Sequence, residues 1–116
     1  MEQEALQEAA FQFAVRTVKL HKHLKETQEE SFLTLQLMTE AAQLGVQTER
    51  VAAQKAGKAF LQSLNKADEH IRAVHYWIRL LRETNYLDNQ QAQSLYNDIA
   101  AMQQQVGSLL KVLSTG

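Results

Sequence analysis

The sequence FLQSLNKADEHIRAVHYWIRLL, residues 60–81, decides the fold class. Its apolar residues recur at steps of three and four, the spacing that places side chains on one face of an α-helix. They are Phe60, Leu64, Ala67, Ile71, Val74, Ile78 and Leu81. This pattern predicts an amphipathic helix that buries one stripe of side chains in a core shared with other helices.

The composition of the whole chain favours helix as well. The 116 residues include no proline and only four glycines, so the two residue types that interrupt helices are nearly absent. The same helical spacing of apolar residues occurs near both ends of the chain. The two further rows are Leu6, Ala10, Phe13, Thr17, Leu20 and Leu24, and Ala92, Leu95, Ile99, Met102, Val106, Leu109 and Leu113. These patterns predict an all-α protein.

Two capping boxes predict where helices begin. Thr27 is followed three residues later by Glu30, and Asp88 is followed three residues later by Gln91. In a capping box the first side chain accepts a hydrogen bond from the backbone N–H three residues on, and the later side chain bonds back. One helix is therefore expected to begin after Thr27 and another after Asp88.

A glycine is expected to divide the long segment between these two boundaries. As a single helix, its roughly 54 residues would span about 80 Å, which a domain of this size cannot hold. Gly57 is the expected break because glycine ends helices readily, and Gly45 is the alternative. The prediction is one domain over residues 1–116, an antiparallel up-down-up-down bundle of four helices at about 3–25, 29–55, 58–84 and 88–114.

The first two predicted helices carry more apolar side chains than the core-facing side of a single helix can bury. Burial stabilises by about 25 cal/mol per Å² of apolar surface, so a second contact surface is expected. Because most soluble oligomers are symmetric assemblies of identical chains, we predict a homo-oligomer. The candidate interface residues are Phe11, Val15, Val18, Phe32, Leu35, Met38, Tyr76 and Trp77. For the last two, a ligand pocket between helices is the alternative.

Basic residues form two clusters in a chain that is nearly neutral. With 12 Lys and Arg against 13 Asp and Glu, the formal net charge is -1, so the overall charge does not attract nucleic acid. The candidate phosphate-binding residues are Arg16, Lys19, Lys22 and Lys25 in the first helix, and Arg50, Lys55 and Lys58 near the second turn. They could bind RNA or DNA through salt-dependent phosphate contacts. Alternatively, the cations in the first helix stabilise its dipole near its C-terminus.

The residue patterns needed for catalysis or metal binding are missing from the sequence. The chain has no cysteine, which excludes disulfides, thiolate zinc sites and cysteine nucleophiles. His21 and His23 are two residues apart and His70 and His75 are five apart, so neither pair has the i, i+4 spacing of helical metal ligands. No Glu-x-x-His motif, Gly-x-Ser-x-Gly motif or glycine-rich phosphate loop occurs. We expect no catalytic residue, no cofactor and no metal, and therefore no enzyme.

The sequence also predicts no membrane association. Mean hydropathy is -0.36, and no apolar run approaches the roughly 18 residues that indicate a membrane-spanning helix. Residues 1–8 are acidic and lack the apolar core of a signal peptide. A cytoplasmic location is therefore expected.

Several short motifs in the second half of the chain resemble those of a known superfamily. The motifs are Phe60 with Leu64 and Ala67, Ala67-Asp68, Trp77-Ile78-Arg79, Asn85-Tyr86-Leu87 and Val106-Gly107-Ser108. They resemble the four-helix-bundle superfamily that joins the 23S ribosomal-RNA intervening-sequence proteins to the accessory variability determinants of diversity-generating retroelements. The first and fourth motifs are similar to the intervening-sequence branch, and the others to the accessory-determinant branch.

The resemblance implies a homopentamer with a central channel that catalyses no reaction. It also implies a role as a scaffold or within a nucleoprotein, and on the accessory-determinant branch the implied partners are a reverse transcriptase and its RNA. Two functional predictions result. The first is a non-enzymatic, homo-oligomeric scaffold or interaction protein, and the alternative is a nucleic-acid or ribonucleoprotein accessory factor.

Overall fold

The chain folds into four α-helices joined by short turns. The computed structural model describes residues 2–54 and 56–115, and the side chains of all of these except 113–115. The helices are α1 (Glu2–Gln28), α2 (Phe32–Gln54), α3 (Gly57–Glu83) and α4 (Asn89–Thr115). The described residues contain no strand. The all-α prediction is therefore confirmed.

One apolar stripe from each helix forms the core. Every residue of the predicted α3 stripe is buried, and so is every residue of the predicted α4 stripe up to Leu109. In α1 the predicted row is buried except for Leu20, which is half-buried against the core. In α2 the buried apolar residues are Leu37, Ala41, Leu44 and Val51. In α1, α3 and α4 the helical period therefore identified the core side of the helix.

The turn between α3 and α4 follows the sequence prediction closely. The Asp88 carboxylate accepts the Gln91 backbone N–H at 2.7 Å, and the Gln91 side-chain oxygen accepts the Asp88 N–H at 2.9 Å. This reciprocal pair is the predicted capping box. Just before it, Asn85 has a φ of 68°, and the Tyr86 N–H donates to the Leu81 carbonyl. A left-handed residue followed by that hydrogen bond is a Schellman ending for α3.

The predicted capping role of Thr27 is wrong. α1 continues through Gln28, and the Thr27 hydroxyl donates to the His23 carbonyl inside that helix at 2.7 Å. The chain reverses at Glu29, whose φ is 56°. The buried Glu30 carboxylate then accepts the backbone N–H groups of Leu33 and Thr34, so Glu30 caps α2 by itself. A carboxylate at this place also lies favourably in the field of the helix dipole.

The turn between α2 and α3 contains the predicted glycine. Gly57 has a φ of 93°, a conformation that L side chains rarely adopt, and the preceding Ala56 is extended. The alternative break, Gly45, lies inside α2. Lys55, at the same turn, lies outside the described residues. The position of the second turn is therefore confirmed at Gly57.

Each helix packs against two others, so the four close into a bundle. α1 packs against α2 and α4, and α3 packs against α2 and α4. His21 in α1 hydrogen-bonds the Thr34 hydroxyl in α2 at 2.8 Å, and His70 in α3 contacts the Glu40 carboxylate in α2 at 2.7 Å. The body measures 49 × 21 × 19 Å, which is about the length of one long helix. Every helix therefore keeps one side that faces outward.

We expect the Asp88→Ala substitution to destabilise the protein by about 1 kcal/mol, because it removes the side-chain acceptor at the start of α4. The free energy of unfolding from urea titration measures this. The matched control is Asn89→Ala, at the neighbouring exposed position, which should change stability by a few tenths of a kcal/mol at most. Equal effects of the two substitutions would show that the capping box does not stabilise α4.

Candidate self-association surface

A row of apolar side chains lies on the outward side of α1. Phe11 is 56% exposed and Val18 is 38% exposed, while Val15 between them is half-buried. The core residues of α1 lie on the opposite side of the helix, because they occupy a different helical row. The predicted surplus of apolar residues on this helix is therefore found at the surface of the protomer.

The outward side of α2 continues this surface. Phe32 is 65% exposed, and Leu35 and Val46 are also exposed. Met38 is half-buried. The only ionisable residue of α2 before Glu49 is Glu40, and it is turned toward His70 of α3. The outward side of α2 therefore presents apolar and uncharged groups over most of its length.

A shallow groove joins the two helices along this surface. It has a volume of about 260 Å³ and is lined by Gln7, Phe11, Ala14, Ala42, Gly45, Val46 and Glu49. Small residues form its floor, so a partner side chain could approach the backbone closely there. We call the exposed rows of α1 and α2, together with this groove, the α1/α2 face.

Tyr76 and Trp77 lie on another side of the bundle. Tyr76 is 56% exposed, whereas Trp77 is half-buried and packs against the core. Their rings meet edge to face with centroids 5.2 Å apart. The predicted interface residues therefore do not form one patch: six belong to the α1/α2 face, and the two aromatic residues belong to α3.

Charged and aromatic groups surround the end of α3. The guanidinium of Arg82 donates a hydrogen bond to the Glu83 carboxylate at 2.9 Å, and this contact raises the pKa of Arg82 above its ordinary value. The same guanidinium lies 5.7 Å from the centre of the Tyr96 ring of α4. His75 stacks on Tyr96 from the α3 side. These contacts tie α3 to α4 at the surface.

Arg16 is held by α4. Its guanidinium donates to the Asp98 carboxylate and to the Ser94 hydroxyl, the latter at 3.0 Å. The Arg16 and Asp98 side chains are 40% and 41% exposed, so water screens the ion pair in part. Arg16 therefore has a structural contact that spacing within α1 alone could not reveal.

The other predicted phosphate-binding residues fall at two distant places. Lys19, Lys22 and Lys25 are exposed near the end of α1, whereas Arg50 and Lys58 are exposed beside the turn between α2 and α3. The 23 residues of α2 separate these two places by about 33 Å. Lys55 lies outside the described residues. The two basic clusters do not form one continuous surface on the protomer.

The histidines are used in packing or are exposed. His21 and His70 contact α2, His75 stacks on Tyr96, and His23 is exposed. Within the part of the chain that the structure describes, no group of three or more His, Asp or Glu residues could hold a metal ion. No described helix is both long enough and apolar enough to cross a membrane.

A cleft lies between α1 and the start of α4. It has a volume of about 350 Å³ and is lined by Arg16, Leu20, Leu87, Gln90, Gln91, Ser94 and Leu95. Its one ionisable side chain is Arg16, which is engaged with Asp98. The cleft offers no pair of groups that could transfer a proton or attack a substrate.

A solved structure of another protein resembles the whole fold. It is a crystal structure of a protein of unknown function from the S23 ribosomal protein family of Bacteroides thetaiotaomicron. The TM-score is 0.90 at 26% sequence identity, and the match covers 96% of this chain and 99% of that chain. No protein-family model matches the chain, and no curated protein is detectably similar to it. The structural similarity is consistent with the superfamily that the sequence motifs resemble.

The sequence identified most of the α1/α2 face but not all of it. Val46 of α2 is 45% exposed but was not among the candidate interface residues. The helical period of α2 contained the signal for Val46, because that residue continues the row of Leu35. The sequence around Arg16 could not indicate its contact with Asp98, because 82 residues separate the two.

We expect Arg16 and Asp98 to stabilise the fold jointly by about 0.5–1 kcal/mol, because the pair is half-exposed and joins two helices. A double-mutant cycle with Arg16→Gln and Asp98→Asn, followed by urea unfolding, measures the coupling. The matched control is the cycle with Arg72→Gln and Asp68→Asn, an ion pair within α3. A coupling near zero for Arg16 and Asp98 would contradict a structural role for Arg16.

Proposed function

We propose that the protein is a non-enzymatic scaffold that assembles with copies of itself. The observation that carries this proposal is the α1/α2 face, where Phe11, Phe32 and Leu35 expose large apolar side chains. Contiguous apolar patches of this kind mark interaction sites on soluble proteins. Most assemblies of identical chains are symmetric, so a surface of this kind would recur on every copy.

Two contacts between helices support the antiparallel up-down-up-down arrangement as part of this proposal. His21 near the end of α1 meets Thr34 near the start of α2, and Ser63 near the start of α3 meets Gln54 at the end of α2. Short turns between sequential helices favour the same arrangement.

The resemblance to the intervening-sequence proteins suggests five copies in the assembly. A ring of five needs two different surfaces on each protomer, because each contact is then heterologous. The chain offers the α1/α2 face and the exposed side of α3 around Tyr76 for this purpose. The similarity to a solved protein of the S23 ribosomal protein family supports the same class of protein, although the function of that protein is unknown.

We expect the protein at micromolar concentration to have a mass several times that of the 13.2 kDa protomer, and five times for the pentamer. Light scattering coupled to size exclusion measures it. The double variant Phe11→Ser with Leu35→Ser should shift the mass toward one protomer, because it replaces two exposed apolar groups with hydroxyls.

The matched control for that experiment is Gln62→Ser, at an exposed position of α3 away from the α1/α2 face, which should keep the mass of the unsubstituted protein. Circular dichroism and urea unfolding check that every variant retains the helical fold. A monomeric mass for the unsubstituted protein would contradict the proposal of self-association.

A second candidate function is binding to a nucleic acid as an accessory factor. Lys19, Lys22 and Lys25 are exposed together near the end of α1, and the described residues supply no ion-pair partner to any of them. Clustered exposed lysines can bind phosphates without reading base sequence. Assembly would bring several copies of the cluster together and raise its avidity for a long polyanion.

For this second function, we expect affinity for structured RNA to fall steeply as salt is raised, because each phosphate contact releases counterions. Lys19→Gln should reduce the slope of log affinity against log salt by roughly 1. The matched control is Lys58→Gln at the other end of α2, which should leave the slope unchanged. No binding at low salt, or binding that ignores salt, would exclude this function.

A further inference from the structure

The groove of the α1/α2 face is open above Gly45, which lies inside α2. Glycine stabilises the interior of a helix less than alanine does, so a glycine at such a position calls for a reason. Packing within the protomer does not supply one, because a Cβ atom added to Gly45 would meet nothing beyond its own turn of helix within 4 Å. The space above this glycine is therefore available to a side chain from another molecule.

The side chains around this space suit an aromatic ring with a polar tip. Phe11, Ala42 and Val46 line the groove with apolar groups, and its volume of about 260 Å³ is larger than one tyrosine side chain. The Gln7 side chain lines it as well, and its amide can exchange a hydrogen bond with a hydroxyl.

Tyr76 presents a ring of this kind on the outward side of α3. It is 56% exposed, and its ring lies edge to face against Trp77 with centroids 5.2 Å apart. Trp77 is half-buried and packs against the core, so it holds the Tyr76 ring in place. A side chain that is already ordered loses little conformational entropy on binding. Tyrosine is also among the residues that contribute most to binding energy at protein interfaces.

The charges beside the groove and beside Tyr76 are opposite in sign. Glu49 lines the groove, and Arg79 lies next to Tyr76 in a shallow hollow on α3. Both are exposed, and the described residues supply no ion-pair partner to either. The other two arginines of α3, Arg72 and Arg82, pair with carboxylates of the same helix. Opposite charges without partners favour a contact that brings the two surfaces together.

We propose that Tyr76 of one copy of the chain inserts into the groove of a second copy, above Gly45. The Tyr76 hydroxyl then lies within reach of the Gln7 amide. Arg79 of the first copy pairs with Glu49 of the second. The buried aromatic ring supplies most of the stabilisation, because exposed ion pairs add little, and the charge pair sets the direction of approach.

The chemistry of the groove favours this occupant over a nucleic acid. The ionisable residue among its lining residues is Glu49, which repels phosphate groups. The remaining lining groups are apolar or uncharged, and they match the ring and hydroxyl of a tyrosine.

This inference rests on the proposed self-association and names the two surfaces that meet in it. Because the contact joins two different surfaces, a pair of copies still carries one free surface of each kind. Further copies add head to tail, and the series ends when it closes on itself. The contact is therefore of the kind that a ring of five copies requires.

The test uses two variants that each disable one of the two surfaces. Gly45→Leu fills the groove, and it should leave the fold intact because the added side chain enters open space. Tyr76→Ser removes the inserted ring from an exposed position. Each variant alone should weaken self-association by at least about tenfold, as measured by sedimentation.

The decisive measurement is an equimolar mixture of the two variants. The Gly45→Leu chain still carries Tyr76, and the Tyr76→Ser chain still carries an open groove, so one contact can form between them. The mixture should therefore contain pairs with one chain of each kind. No larger species should form, because both surfaces that remain free on such a pair are disabled. Native mass spectrometry identifies the pairs.

Gly107→Leu and Leu61→Ser are the matched controls. Gly107 is a helix glycine of α4 at which an added Cβ atom also meets nothing within 4 Å. Leu61 is an exposed apolar residue at the opposite end of α3 from Tyr76. Both controls should keep the mass of the unsubstituted protein. Circular dichroism and urea unfolding check that every variant retains the helical fold.

A charge exchange tests the direction of approach. Arg79→Glu places two carboxylates together and should weaken the contact several-fold, and adding Glu49→Arg to the same chain should restore it. A double variant that assembles no better than Arg79→Glu alone would overturn the proposed charge pair.

These measurements distinguish a failure of this inference from a failure of the proposed function. If the unsubstituted protein is monomeric, the proposed self-association fails as well. If it assembles and either Gly45→Leu or Tyr76→Ser keeps its mass, only the contact between Tyr76 and the groove is overturned. The contact is also overturned if both variants dissociate and their mixture stays monomeric, because the two surfaces then do not bind each other.

Discussion

The structure depends on the fact that each helix of a closed four-helix bundle can give only one stripe of side chains to the core. In α3 the stripe from Phe60 to Leu81 is buried throughout, and Leu61 and Tyr76 outside that stripe are exposed. In α1 and α2 the apolar residues cover a wider arc than the core accepts. The residues left over, such as Phe11 and Phe32, lie on the outside because the bundle has no further room for them. The α1/α2 face is therefore a consequence of the packing geometry.

The fold could be predicted wherever a single local interaction decides the structure. Asp88 and Gln91 form the expected capping box through two hydrogen bonds between residues only three positions apart. Thr27 has the same sequence signature, yet its hydroxyl bonds back to the His23 carbonyl and α1 runs on. The buried Glu30 carboxylate supplies the cap for α2 by itself, so the hydroxyl is not needed there. A pattern of four residues cannot decide between these two outcomes, because a threonine hydroxyl can accept from a backbone N–H ahead of it or donate to a backbone carbonyl behind it.

The features of the candidate site also fall into two groups: those that a single helix determines and those that depend on contact between helices. The helical period identified the exposed apolar residues of α1 and α2, because period alone decides which side of a helix a residue occupies. It could not identify the partner of Arg16, since Asp98 becomes its neighbour only when α4 closes against α1. Trp77 is half-buried for a similar reason: its helical row lies between the core and the surface, and only the packing of the neighbouring helix decides how much of it is covered. The side of a helix on which a residue lies was predictable from the sequence, whereas side-chain partners and burial that depend on a second helix were not.

Although the net charge of the chain is -1, negative and positive side chains lie at opposite ends of α1. Glu8 and Lys22 lie about 21 Å apart on one side of that helix, at 1.5 Å per residue, with apolar residues between them. At physiological salt this distance exceeds the screening length of about 8 Å, so each end of the row acts as its own charged site.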